Sequence, residues 1–152
     1  METEVLLPSF VLKDQHKNDF VLKAYTRQLV LLSFHPLAWT GVCAEQMKAL
    51  EASIEAFEEK GVTVVGVSVD TIPSKLAWAE NLSIKKLRLL SDFWPHGAVA
   101  KQFDIFREKE GFSERANILL GAEQVVLWKK VYPISELPDL TEVFQVISTI
   151  KY

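Results

Sequence analysis

Between residues 29 and 69 the chain runs through a strand, a helix and a second strand whose apolar patterns leave little choice of fold. Leu29 to Phe34 is a continuous apolar run, which reads as a strand buried on both faces. It stops at His35-Pro36, because proline cannot donate to a sheet ladder. Cys43, Met47, Leu50, Ile54 and Phe57 follow at spacings of 4, 3, 4 and 3, drawing one apolar stripe along a helix that ends at Lys60-Gly61. Thr40 is placed to be the N-cap of that helix. Val62 to Val69 is rich in valine and reads as a second central strand. Two buried strands joined by a crossover helix belong side by side in a parallel sheet.

The flanking segments add antiparallel strands. Phe10 to Lys13 and Phe20 to Lys23 are short strand-like runs separated by the polar turn Asp14 to Asp19, which predicts a hairpin. Pro73 to Asn81 predicts a helix with proline at its start, Leu87 to Leu90 a short strand and Gly97 to Phe103 a short helix. Ala116 to Leu120 and Val125 to Val131 predict a strand pair around the turn at Gly121 to Gln124, and Thr141 to Ile150 a closing amphipathic helix. The order is β-β-β-α-β-α-β-α-β-β-α, a mixed-sheet α/β sandwich with helices on both faces. Neither a repeat nor a low-complexity linker divides the chain, so residues 1–152 read as one domain, long enough to bury roughly two-thirds of its unfolded surface.

Composition narrows the function. A net charge of −3 argues against nucleic acid or an acidic membrane as the main partner. No segment approaches the roughly 18 consecutive apolar residues of a membrane span. Met1 to Leu12 places two glutamates ahead of its apolar stretch and interrupts that stretch with Pro8, unlike a secretory signal, so a cytoplasmic location is expected. A single cysteine excludes an internal disulfide, a CxxC pair and a cysteine-based zinc site. The few glycines form neither GxGxxG nor a phosphate-cradling loop, and no cofactor is expected. Gly66-Val-Ser68-Val-Asp70 lacks the second glycine of a GxSxG elbow, so Ser68 reads as a strand end. His16, His35 and His96 have no ligand spacing and read as surface or loop residues; no metal site is expected.

One constellation remains, Ser33-Phe-His-Pro36-Leu-Ala-Trp-Thr40-Gly-Val-Cys43. A buried strand ends, a proline-bearing loop follows, and Cys43 falls in the first turn of a helix. There the unpaired backbone N–H groups and the positive end of the macrodipole favour a thiolate, the nucleophilic form of cysteine. The loop also lies at the carboxyl end of a central strand, where open α/β sheets place their sites. The competing reading is that Cys43 simply opens the apolar stripe and packs in the core.

Pro36-x-x-x-Thr40-x-x-Cys43 resembles the active-site signature of the peroxiredoxins, thiol peroxidases built on the thioredoxin fold, and its Phe-x-Pro-Leu-Ala-x-Thr-x-x-Cys form looks most like the AhpE-type group. The resemblance extends over Leu12 to Gln15, Gly66 to Asp70, Leu90 to Ala100 and Glu114-Arg115-Ala116. It implies a thioredoxin-like fold, a central mixed β-sheet flanked by helices with an N-terminal β-hairpin. It also implies that Cys43 attacks a peroxide and becomes a sulfenic acid, that Thr40 orients the oxygen under attack, that Pro36 shields the thiolate, and that Arg115 stabilises thiolate and departing oxygen. Two positions depart from the family. Gln46 stands where glutamate is common and is left out of the catalytic set, and Gly121 stands where an aspartate is usual.

No second cysteine is present to resolve the sulfenic acid, so the resemblance implies a one-Cys enzyme whose reductant is an external thiol: thioredoxin, a glutaredoxin-like protein or a small thiol. The substrate the resemblance implies is hydrogen peroxide or an organic hydroperoxide. The rival reading is a non-enzymatic redox sensor or adaptor on the same fold, and a third is a scaffold with an inert cysteine. The family often dimerises through its active-site loops, which makes Trp39, Trp94 and Pro95 candidates for a homodimer interface, while Trp128 reads as core.

Overall fold

A computed structural model describes residues 9–25 and 27–150. The expectation drawn from Met1 to Leu12 therefore falls largely outside the described residues. A seven-stranded sheet runs through the molecule in the order β2-β1-β5-β4-β3-β8-β9. Its strands are β1 (Val11–Lys13), β2 (Asp19–Val21), β3 (Leu29–Phe34), β4 (Val62–Ser68), β5 (Arg88–Ser91), β8 (Arg115–Leu120) and β9 (Val126–Tyr132). β3, β4 and β5 are mutually parallel, and β1–β2, β1–β5, β3–β8 and β8–β9 are antiparallel. The parallel centre and antiparallel margins are those the apolar patterns predict. A small separate ribbon, β6 (Phe106–Arg107) with β7 (Phe112–Ser113), is absent from the order the sequence predicts. Two residues per strand are too few to show a period.

All six residues of β3 are buried, and their alternation divides the interior in two. Leu29 and Leu31 face the core built by α1 (Gly41–Glu59), α2 (Ile72–Asn81) and α4 (Leu140–Ser148), with Met47, Leu50, Phe57, Trp78, Val143 and Ile147. Val30, Leu32 and Phe34 face the other core, where Val99, Ala100 and Phe103 lie in or beside the short helix α3 (Ala98–Gln102). The same parity carries forward. Ser33 and His35 continue the Leu29–Leu31 row towards α1 and α2. On β8, Arg115 and Asn117 share the row of Leu119, which belongs to the α1 core, while Ala116, Ile118 and Leu120 belong to the opposite one. An arginine is thus aimed at the start of α1 by the pleat of its strand.

α1 begins where Thr40 is extended and ends at Lys60-Gly61, with Gly61 in the left-handed region at φ 74. The expected stripe from Cys43 to Phe57 is buried, and Gln46 joins it. α2 carries proline in its first turn, as expected. Asp139 caps α4 by accepting the Thr141 N–H at 2.9 Å. Among the described residues no helix is long and apolar enough to cross a membrane.

Candidate active site

The loop between β3 and α1 forms one wall of a pocket of about 310 Å³, with Pro36, Leu37, Thr40, Gly41 and Val42 on that side and Phe112, Arg115, Ile134 and Ser135 opposite. The walls are largely apolar. Three of the four residues singled out from the sequence, Pro36, Thr40 and Arg115, line it, and the fourth, Cys43, lies beneath with no exposed surface. The contact between them is direct: Arg115 Nη1 donates to Cys43 Sγ at 3.2 Å.

Arg115 is itself held on three sides and is almost wholly buried. Its Nε donates to the Ile134 carbonyl at 2.9 Å, and Nη1 also donates to Gln46 Oε1 at 2.7 Å. Gln46 in turn donates from Nε2 to Ser33 Oγ at 2.8 Å and to the Phe34 carbonyl at 3.2 Å. Gln46 therefore joins the end of β3 to the guanidinium, although it stands outside the catalytic set expected from the sequence. The available signal was its spacing, three residues beyond Cys43 and so on the same helical face. The amide suits the place because it both accepts from Arg115 and donates to two oxygens, which an ionised carboxylate cannot do.

Thr40 occupies the N-cap position, but its side chain does not cap the helix. The hydroxyl instead donates to the Leu37 carbonyl at 2.9 Å, closing the loop on itself. The helix proper starts with the Ala44 N–H bonding the Thr40 carbonyl at 2.9 Å. Because the Thr40 side chain does not take them, the first-turn N–H groups remain oriented towards the cysteine end of the helix. Pro36 is buried, whereas Leu37, Trp39 and Thr40 are exposed.

His35 is not a surface histidine. Its ring is wholly buried against Trp78, with centroids 5.3 Å apart, since the β3 parity turns it inward. Burial, and then the positive charges of Lys75 and Arg115, push its pKa well below the usual 6.5, so it is neutral. Ser68 ends β4 as expected and is buried, hydrogen-bonded to Lys75 and Asp70. Of the tryptophans, Trp78 is core and Trp128 is half-buried against it, while Trp39 is 53% and Trp94 79% exposed.

Known proteins resemble this chain over most of its length. Residues 4–129 match the family model described as the AhpC/TSA family. Alkyl hydroperoxide reductase E of Mycobacterium tuberculosis (strain ATCC 25618 / H37Rv) is 32% identical over 133 residues, covering 87% of this chain and 86% of that protein. A peroxiredoxin of Thermoplasma volcanium is 26% identical over 141 residues, covering 90% and 68%. Among solved structures, the reduced 2-Cys peroxiredoxin of Plasmodium vivax superposes with a TM-score of 0.86 at 26% identity, covering 95% of this chain and 78% of that one. Peroxidoxin BcpB of Mycobacterium tuberculosis superposes with a TM-score of 0.84 over the whole of this chain and 99% of its own, and at 23% identity it speaks for the fold alone. The fold is thioredoxin-like, with the central sheet and N-terminal hairpin anticipated from the sequence.

Proposed function

From the premise that the chain belongs to the AhpC/TSA family of peroxiredoxins, we propose that residues 1–152 form one thioredoxin-like domain whose catalytic residues are Cys43, Arg115, Thr40 and Pro36. The protein is a thiol-dependent peroxidase of the one-Cys kind, with Cys43 its single cysteine. The observation that carries the assignment of residues is the 3.2 Å contact from Arg115 Nη1 to Cys43 Sγ at the base of the pocket. A guanidinium fixed at Ile134 and Gln46 has no freedom to leave, so its charge faces the sulfur before any substrate arrives.

The Cys43 thiolate attacks the terminal oxygen of a hydroperoxide, the O–O bond breaks, and the OH passes to sulfur as a sulfenic acid. The departing alkoxide or hydroxide takes a proton from solvent and leaves as alcohol or water. Arg115 and the first-turn N–H groups of α1 face the charge as it moves from sulfur to the leaving oxygen. Thr40, its proton committed to the Leu37 carbonyl, presents a hydroxyl oxygen to the peroxide O–H. Buried Pro36 keeps water from the sulfur. The apolar walls formed by Leu37, Val42, Phe112 and Ile134 favour an organic hydroperoxide over hydrogen peroxide.

With no second cysteine in the sequence, an external thiol condenses with the sulfenic acid, releasing water and forming a mixed disulfide that a further thiol cleaves. We assign the reductant to thioredoxin, a glutaredoxin-like protein or a small thiol, the location to the cytoplasm, and the assembly to a homodimer through the active-site loops. The test is oxidation of the wild type by cumene hydroperoxide and hydrogen peroxide, with dimedone trapping of Cys43 and turnover with added thiol. Reaction no faster than that of free cysteine ends the reading. Rapid oxidation without turnover under any thiol would instead mark a sensor.

A further inference from the structure

Behind the Pro36–Thr40 loop lies a buried cation that the proposed reaction does not use. Lys75, on the inner face of α2 with Trp78 and Ala79, has no exposed surface. Its ammonium donates to Ser68 Oγ at 2.5 Å and faces His35 Nε2 at 3.5 Å. Ser68 hands the bond on, donating to Asp70 Oδ2 at 2.6 Å, and that same oxygen accepts the Ala38 backbone N–H at 2.8 Å. An unbroken chain of hydrogen bonds thus runs from the ammonium to the loop backbone midway between Pro36 and Thr40. A second tie joins α2 to the loop, where Trp39 Nε1 donates to Ser74 Oγ at 3.1 Å.

A buried ammonium is retained in a core only at a cost that an apolar residue would avoid, and this one is compensated by partners that all converge on the active-site loop. No peroxide can touch it, so it is not a catalytic residue. We propose that Lys75 is a positioning residue for the Cys43 reaction, holding through Ser68 and Asp70 the loop that carries Pro36 and Thr40, and adding its positive charge to the field around the sulfur. The inference rests on the peroxidase reading above.

Lys75 touches His35, after β3, and Ser68, at the end of β4, and the charges that act on it come from Asp70 after β4, Asp92 after β5 and Cys43 on α1, with the Arg115 charge acting beyond on His35. Burial pushes Lys75 down to about 8, against the opposing pull of Asp70, Cys43 and Asp92. Below that pH the ammonium is intact. As pH rises through about 8 it loses its proton, and its charge leaves the site.

The experiment is stopped-flow oxidation of Cys43 by cumene hydroperoxide between pH 6 and pH 9.5 for the wild type, Lys75→Met, Lys75→Arg and Asp70→Asn, with thermal unfolding of each. The wild type is expected to lose rate as pH rises through about 8. Lys75→Met is expected to react roughly ten- to a hundredfold more slowly at pH 7 and to lack that fall. Lys75→Arg, charged throughout, is expected to recover rate at pH 7 and also to lack the fall. Asp70→Asn removes a charge that raises Lys75, so the fall moves to lower pH. These shifts in profile are not ones that lost packing alone produces. A folded Lys75→Met with the wild-type rate and profile overturns the proposal. So does a wild type with no fall near pH 8 together with an unshifted Asp70→Asn, whether or not the lysine variants fold. A wild type that fails to outpace free cysteine overturns the peroxidase reading itself, and this inference with it.

Discussion

Arg115 Nη1 lies 3.2 Å from Cys43 Sγ although 72 positions separate the two residues in the chain. β8 runs antiparallel to β3, with Phe34 opposite Ala116, so the first residue of β8 arrives beside the loop that leads into α1. Parity then turns Arg115 to the α1 side of the sheet.

That arrangement depends on the fork of the guanidinium. A lysine at this place cannot bond the Ile134 carbonyl, Gln46 Oε1 and the sulfur together. Arg115→Lys is expected to lower the second-order rate of Cys43 oxidation by about a hundredfold or more. Stopped-flow kinetics with cumene hydroperoxide measure it, and a loss smaller than about threefold would contradict the role given to Arg115.

Gln46 supports the same guanidinium from α1. Gln46→Ala strips Arg115 of one acceptor and leaves Ser33 Oγ and the Phe34 carbonyl without their amide donor. Chemical denaturation is expected to show a loss of about 1–3 kcal/mol. The oxidation rate is expected to fall by about tenfold, since an untethered guanidinium samples positions away from the sulfur.

His35 gives a pH dependence whose sign can be worked out. Burial first, then Lys75 and Arg115, hold its pKa well below 6.5, so between those values the unfolded chain binds a proton that the folded one refuses. Its contribution to stability is therefore whole above pH 6.5 and is lost as pH falls towards the folded value. Buried Asp92, whose burial raises its carboxyl pKa, acts in the opposite direction in the carboxylate range. Melting temperatures of the wild type and His35→Phe, compared from pH 7.5 down to pH 5, should separate, with the variant the less pH-sensitive. Parallel curves would show that His35 does not titrate in this way.

Close packing under the site is tested at Gly66. A methyl group there would sit 2.5 Å from Met47 Sδ and 3.0 Å from Leu89 Cδ2, with one strand neighbour and α1 both in the way. Gly66→Ala is expected to cost about 1–3 kcal/mol in denaturant unfolding. An unchanged midpoint would mean that Met47, one turn beyond Cys43 on α1, moves aside freely.

Trp94 and Trp39 offer the contact area of the proposed dimer, at 79% and 53% exposure. Light scattering should give the mass of two chains for the wild type and of one for Trp94→Lys. A monomeric wild type removes the dimer.

Much of this protein is determined by its sequence alone, and the reason is local. Strand and helix periods are read over a few neighbouring residues, so the run Leu29 to Phe34, the stripe from Cys43 to Phe57 and the proline between them specify a buried strand, a helix start and a cysteine in its first turn. Pro36, Thr40 and Cys43, with Glu114-Arg115-Ala116, carry the resemblance that pairs Cys43 with Arg115. The partners of buried polar groups are another matter, because they depend on which distant segments the sheet order brings together. Sequence spacing puts Gln46 on the helical face of Cys43 but cannot show that it grips Arg115, that His35 turns inward onto Trp78 rather than out to solvent, or that Lys75 is linked through Ser68 and Asp70 to Ala38. Those pairings exist only once β3, β4 and β8 lie side by side, where desolvation drives most buried donors and acceptors to find partners.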